Sequence, residues 1–263
     1  MKPGSVSPTS FLLGIAFIAV VATSIRNHRT SQPGSADEEV ECPYDNPRLC
    51  FVLSEEVRTS GTDMLEINLP AREVCVNVGY LCADVEEQGV TKIHRWPDDT
   101  ETLTVRVPLP DFESRAKAAE LQRAAVRGIQ AWQGHPFGLA IQTGSGGGQA
   151  ADIEIVWSQT LDERQIGVAR TRWSWKAGKP HFEVLGLRLT TRAPSRPVRH
   201  LTERQVSLVA AHEMGHALGL PHSDATTDVM YPTNTANRLS TRDYRTMQAF
   251  YDLPNGAEIL HDP

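Results

Sequence analysis

Hydrophobic positions change their spacing several times along the chain. Residues 112–133 place Ala116, Ala119, Leu121, Ala125, Ile129 and Trp132 at mostly helical spacing, which predicts a helix. Phe182, Val184, Leu185, Leu187 and Leu189 predict a strand. From Thr202 onward a largely apolar run with Val206, Val209, Ala210, Ala217 and Leu220 predicts a second, buried helix. Thr202, with Gln205 three residues on, forms a capping-box pattern at its start. Val74-Cys75-Val76-Asn77-Val78 is strand-like. Gly144-Ser145-Gly146-Gly147-Gly148 reads as a flexible loop, and it lacks the lysine and Ser/Thr of a phosphate-binding loop. From residue 92 the predicted order is strand, helix, strand, loop, strands, helix, turn, helix. There is no internal repeat.

The first 25 residues have another pattern. Lys2 precedes an uncharged run from Phe11 to Ile25. That run is short against the roughly 20 residues of a membrane span. It has the n-region and h-region of a signal peptide, with Val20-Val21-Ala22 offering cleavage after Ala22. The alternative is an uncleaved anchor at residues 11–25, because Arg26 and Arg29 come directly after the run. Both readings place the rest of the chain in a secreted, periplasmic or extracellular setting, and only the anchor involves a membrane. Residues 26–41, rich in Ser, Pro, Gly, Asp and Glu, form a linker.

Composition narrows the class. The chain has 263 residues, 40% hydrophobic and 22% charged, which fits a soluble globular core with additions. The formal net charge is −6 with no basic patch, so nucleic acid is not an expected partner. Cys42, Cys50, Cys75 and Cys82 are even in number and precede residue 92. In an oxidising compartment they are expected to form two disulfides; three pairings are open, of which local 42–50 and 75–82 pairs are the simplest. A zinc site is the rival, but these spacings are wide for a zinc knuckle. Residues 42–91 are thus a cysteine-containing region: an accessory module, a pro-segment or an extension packed on the C-terminal part of the chain.

Chemistry concentrates at His212-Glu213-Met214-Gly215-His216-Ala217-Leu218-Gly219-Leu220-Pro221-His222, an H-E-x-x-H-x-x-G-x-x-H pattern. His212 and His216, four apart, share a face of a helix and can reach one ion. Gly219 can end the helix and let the chain turn so that His222 becomes a third ligand. Three histidines leave a fourth zinc position for water, as catalytic sites require. Glu213 lies beside the first ligand, within reach of that water. A buried helix with hydrogen-bonded histidines is the plainer explanation, but average residue frequencies put a chance match at about one chain in 10^5 of this length.

Eight residues beyond the last histidine stands Asp228-Val229-Met230-Tyr231-Pro232. With it, the extended motif resembles the metzincin clan. Val209 through Ser223 is similar to the matrixins, the matrix-metalloproteinase family, with Ser223 as the matrixin choice after the third histidine. The resemblance runs over roughly residues 92–253. Trp96 with Leu103–Val107 resembles the first strand, 112–133 the first helix, Ala151–Ile155 the third strand, Gly167–Ala169 the edge strand and Leu239–Tyr244 the start of the closing helix.

The resemblance implies an α+β, zincin-like catalytic domain over residues 92–254, with a tail at 255–263. Its sheet is mixed and mainly parallel, with helices and a short Met-turn C-terminal subdomain. It further implies an exported zinc endopeptidase that uses a zinc-activated water and acts on a protein or peptide. Zn2+ is held by His212, His216 and His222, Glu213 is the general base, and Met230 is the floor of the Met-turn. Tyr231 has an oxyanion or a structural role. Matrixins often bind structural calcium, for which Asp152 is the candidate. Substrate lies extended along the edge strand, residues 166–171.

This sequence also departs from the family. The propeptide motif P-R-C-G-x-P-D is missing, and Pro47-Arg48-Leu49-Cys50 only echoes it. The even cysteine count weighs against a thiol switch. Asn234 stands where many matrixins have a tyrosine, and His181 alone cannot build a second zinc site. His94, His135, His200 and His261 lack ligand spacing. Asp224 and Asp228 suit either calcium or turns. Asp243, third in the closing helix, is accounted for by the helix dipole, although the family braces the Met-turn there. Two alternatives share the zinc motif: an amidase acting on cell-wall peptides, and a non-catalytic binding protein on a metalloprotease fold.

Overall fold

The computed structural model describes residues 67–83, 90–144, 150–161, 165–194, 198–233 and 235–260. The leader or anchor at 1–25, the linker at 26–41, Cys42, Cys50, the echo at 47–50, Asn234 and His261 lie outside the described residues.

Five strands make the main sheet: β3 (Thr102–Val107), β4 (Gly138–Thr143), β5 (Ile153–Ser158), β6 (Gly167–Lys176) and β7 (Lys179–Thr190). Their order is β4-β3-β5-β7-β6; every pairing is parallel except β6 with β7. This is the mixed, mainly parallel sheet that the resemblance implies. Alternation sets its inner face: Leu103, Val105 and Val107 on β3, and Ile153, Ile155 and Trp157 on β5, point inward and are buried. Two short strands, β8 (Arg192–Ala193) and β9 (Arg199–His200), pair antiparallel ahead of the motif-bearing helix.

Helices α1 (Arg115–Gln130) and α2 (Glu203–Ala217) belong to the same core. Helix α1 buries Ala118, Leu121, Ala124, Ala125 and Ile129 and begins at Ser114, whose hydroxyl accepts the Lys117 amide. Trp132, just past its end, is fully buried, and its indole donates to the Ala211 carbonyl of α2 at 2.8 Å. That bond ties the two helices where they cross. The predicted capping box forms at the start of α2: Gln205 N–H donates to Thr202 Oγ1, and Thr202 N–H donates to Gln205 Oε1 at 3.0 Å. Helix α3 (Thr241–Asp252) closes the chain with a second capping box at Ser240 and Asp243.

A smaller sheet lies at the ends of the described chain. Strands β1 (Asn68–Pro70), β10 (Glu258–Leu260) and β2 (Val90–Lys92) pair in the order β1-β10-β2. The stretch read as a tail therefore carries a central strand, with Ile259 fully buried opposite Leu69. Leu69, Val74, Tyr80, Leu81 and Ile93 join the one hydrophobic core that also contains the helices. The described part of the cysteine region is packed into that same core.

The strand-like run at 74–78 is corrected. A helical turn spans Ala71–Val74, and beyond it comes a loop closed by a disulfide between Cys75 and Cys82. Asn77 has φ 61°, which no strand allows. Alternating Val-Cys-Val-Asn-Val has the period of a strand, but the cross-link over so short a loop overrides it. The local 75–82 pair is the one expected.

Candidate active site

Helix α2 carries His212, Glu213 and His216 on adjacent positions of one surface. The helix ends as the motif predicts. Gly219 takes φ +103°, and a Cβ there would lie 2.6 Å from the His94 carbonyl oxygen, so both conformation and space call for glycine. Leu220 N–H closes the end by donating to Gly215 O at 3.0 Å. The chain then doubles back and brings His222 to the other two histidines.

The three imidazoles converge. His216 Nε2 lies 3.1 Å from His212 Nε2 and 3.2 Å from His222 Nε2. His212 Nδ1 faces the Val229 carbonyl at 2.6 Å, and His216 Nδ1 faces the Leu220 carbonyl at 2.9 Å. A carbonyl only accepts, so both Nδ1 atoms carry the proton and both Nε2 atoms present bare lone pairs. Lone pairs pointed at one another repel unless a cation lies between them. A tetrahedral zinc with bonds of about 2.0–2.1 Å sets its nitrogens about 3.3 Å apart, close to what is seen. Burial holds His212 below the ordinary imidazole range and His216 down at about 3, so both are neutral and ready to ligate. Among the described residues, these three form the one group of His, Cys, Asp or Glu side chains gathered closely enough for a metal.

Glu213 is buried beside them. Desolvation pushes its carboxyl up to about 8, against the pull of the Ala169 amide. Strand β6 passes so close that a Cβ on Gly167 would sit 2.5 Å from Glu213 Oε1 and 2.6 Å from Val209 Cγ1. Gly167→Ala is therefore expected to displace the Glu213 carboxylate and cut turnover at least tenfold, while the thermal transition shifts little. Equal activity in a peptide-cleavage assay would show that the strand gives way instead.

The Met-turn lies beneath. Met230 is fully buried, and its Sδ packs against the open side of Gly215. Asp243, also fully buried, accepts the amides of Val229 (3.0 Å), Met230 (3.4 Å) and Ser240 (2.7 Å) and the Tyr80 hydroxyl (3.1 Å). The helix-dipole account of Asp243 is thus too small: the residue ties the Met-turn to α3. Asp228 accepts the hydroxyls of Ser223 and Ser240 and a bond from Arg242, and Arg242 also pairs with Asp224. Both aspartates therefore have a cation already, in the form of a guanidinium.

A cleft of about 670 Å³ opens over the histidines. Gly167, Val168 and Ala169 of β6 form one wall, Val209 and Leu201 its apolar depth, and Pro232 and Thr233 the far side. Among the described residues, strand β6 is the edge of the sheet and no strand pairs with its outer side.

Residues 95–252, most of the chain, match the sequence profile of the family described as Matrixin. The chain belongs to the matrixin family. A 62-residue stretch is 47% identical to macrophage metalloelastase of Rattus norvegicus, covering 21% of this chain and 13% of that relative's length. Matrixins are zinc-dependent metalloproteases, and the histidine triad of this matrixin has the donor set that zinc takes.

In this matrixin Tyr231 is half-buried, its amide on the Asp228 carbonyl, and the cleft lining passes from His222 to Pro232 without it. The Asp152 carboxylate accepts the Thr104 amide at 2.7 Å, which links β5 to β3. His94 stacks on Trp173, and His135 packs on Tyr244. Among the described residues, no helix is long and apolar enough to cross a membrane. The contacts of Gly167 and the Ala169 amide with Glu213, and of Tyr80 with Asp243, were not legible, because no spacing encodes a contact between distant segments.

Proposed function

We propose that this chain is an exported zinc endopeptidase that cleaves extended polypeptide. The reading is carried by the convergence of three imidazole nitrogens beside a buried carboxylate, in a cleft walled by the edge strand of the described sheet. His212, His216 and His222 would hold the metal. Bound there, zinc supplies Lewis-acid polarisation of the scissile carbonyl and an acidified water. Glu213 would take a proton from the attacking water as general base and deliver it to the leaving nitrogen. The β6 edge pairs with the substrate main chain in an antiparallel sense, so preference for particular residues comes from the walls at Leu201, Val209 and Pro232. Tyr231 serves the turn and not the oxyanion. The Cys75–Cys82 disulfide supports an oxidising, exported setting.

The test uses the chain lacking residues 1–25 on denatured casein with zinc, then with excess chelator, then with zinc restored. Cleavage that disappears and returns is expected. Cleavage of cell-wall peptides with casein untouched would replace this reading with the amidase, and binding without any cleavage would replace it with a binding protein.

Loading also carries a proton signature. With its carboxyl raised to about 8, Glu213 is mostly protonated at pH 7 before metal binds. A nearby divalent cation favours the charged form and lowers that value. His212 and His216 are already neutral and release nothing, and any proton from His222 is common to both proteins compared. Zinc binding at pH 7 is therefore expected to release about one more proton in the native chain than in Glu213→Gln, from calorimetry in buffers of different ionisation enthalpy. Equal release would mean that Glu213 does not feel the metal.

A further inference from the structure

Tyr80 lies outside the stretch that matches the matrixin profile, yet its side chain reaches the support of the histidine site. It is fully buried and sits on the loop that the Cys75–Cys82 disulfide closes. The loop is docked on α3: Tyr80 N–H donates to Thr246 Oγ1 at 3.0 Å, and the Arg242 guanidinium lies over the phenol ring at 5.7 Å. The phenol hydroxyl donates to Asp243 Oδ1. The same carboxylate receives the amides of Val229 and Met230, and the Val229 carbonyl receives Nδ1–H of His212. One unbroken path of hydrogen bonds therefore joins the disulfide loop to an imidazole of the triad.

We propose that Tyr80 is a positioning residue for the metal site. It holds the Asp243 carboxylate in the orientation that fixes the Met-turn, and the Cys75–Cys82 disulfide holds Tyr80. Without the hydroxyl, Asp243 Oδ1 keeps only the Met230 amide at 3.4 Å, a long bond, and the carboxylate is held firmly on its Oδ2 side alone, by the Val229 and Ser240 amides. The turn at Val229 and Met230 is then held less firmly, and with it the orientation of His212. Burial and the Asp243 charge push the phenol's pKa up, so Tyr80 remains the donor. The inference rests on the reading of the three histidines as a zinc site.

The test measures the zinc dissociation constant by chelator competition on the full chain, at a temperature where circular dichroism shows every variant folded. Tyr80→Phe and Cys75→Ser/Cys82→Ser are each expected to weaken zinc binding about tenfold, the low end for outer-shell partners. Combining them is expected to add nothing, because both break one path. Leu69→Ala loosens the same extension without touching the path, and it is expected to bind zinc as the native chain does. If the cysteine variant fails to fold, Tyr80→Phe against Leu69→Ala still decides. Native affinity in Tyr80→Phe, or an equal loss in Leu69→Ala, overturns the proposal. A native chain that binds no zinc overturns it together with the zinc reading, a result distinct from tight binding in every variant.

Discussion

Glu213→Gln is expected to lower kcat/KM on a peptide substrate by about 10^2- to 10^4-fold, the usual share of a positioned general base. The amide matches the carboxylate in size, so the close packing against Gly167 is kept. The three histidines and their carbonyl partners at Val229 and Leu220 are untouched. Zinc affinity should therefore stay near native while turnover collapses. That split distinguishes a base from a residue that holds the metal. Removing a ligand, as in His216→Ala, should instead lose both metal and activity. Measuring zinc content beside kcat decides the matter. A glutamine variant that retains a tenth or more of the native rate would remove Glu213 from the chemistry.

How much of this could be read along the chain depended on range. The site is local: the three ligands, the base and the helix-ending glycine occupy eleven consecutive residues, and their spacing carries their geometry. The capping box at Thr202 is likewise local and forms as predicted. The Cys75–Cys82 pair was the simplest pairing for the same reason. Contacts between remote segments left no such mark. Strand β10 is three residues long and owes its place to Leu69 and Thr91, each more than 160 residues away in sequence. A three-residue strand has too little alternation to show a period, so its stretch looked like a tail. The run at 74–78 shows the opposite failure, in which alternation was present but a covalent cross-link won. Gly167 appeared only as an edge-strand residue, although its missing side chain makes room for Glu213.

These long-range contacts decide how rigid the site is. The two imidazoles on α2 are each oriented by a backbone carbonyl, one from the turn after the helix and one from the Met-turn. The first is part of the motif. The second depends on Asp243, which belongs to α3, and so on how α3 is held. The catalytic geometry is therefore set by two helices and the turn between them, with the N-terminal extension bonded to the same carboxylate through Tyr80.

Asp243→Ala is accordingly expected to be strongly destabilising. The carboxylate is fully buried and accepts from Val229, Met230, Ser240 and Tyr80. Alanine leaves those donors without an acceptor, in a place that water reaches poorly. Each orphaned buried donor costs about 1–3 kcal/mol, and relaxation at the Ser240 cap recovers part of the sum. The net loss is then on the order of 3 kcal/mol, a large fraction of the roughly 5–15 kcal/mol by which domains are stable. Urea denaturation of the zinc-free chain should show it as a lower midpoint with an unchanged slope. Asp243→Asn should fall between, because its oxygen can still serve one or two donors while its NH2 group meets the others unfavourably. A loss below about 1 kcal/mol for alanine, within the range of one ordinary hydrogen bond, would mean that the Met-turn supports itself and that Asp243 merely caps α3.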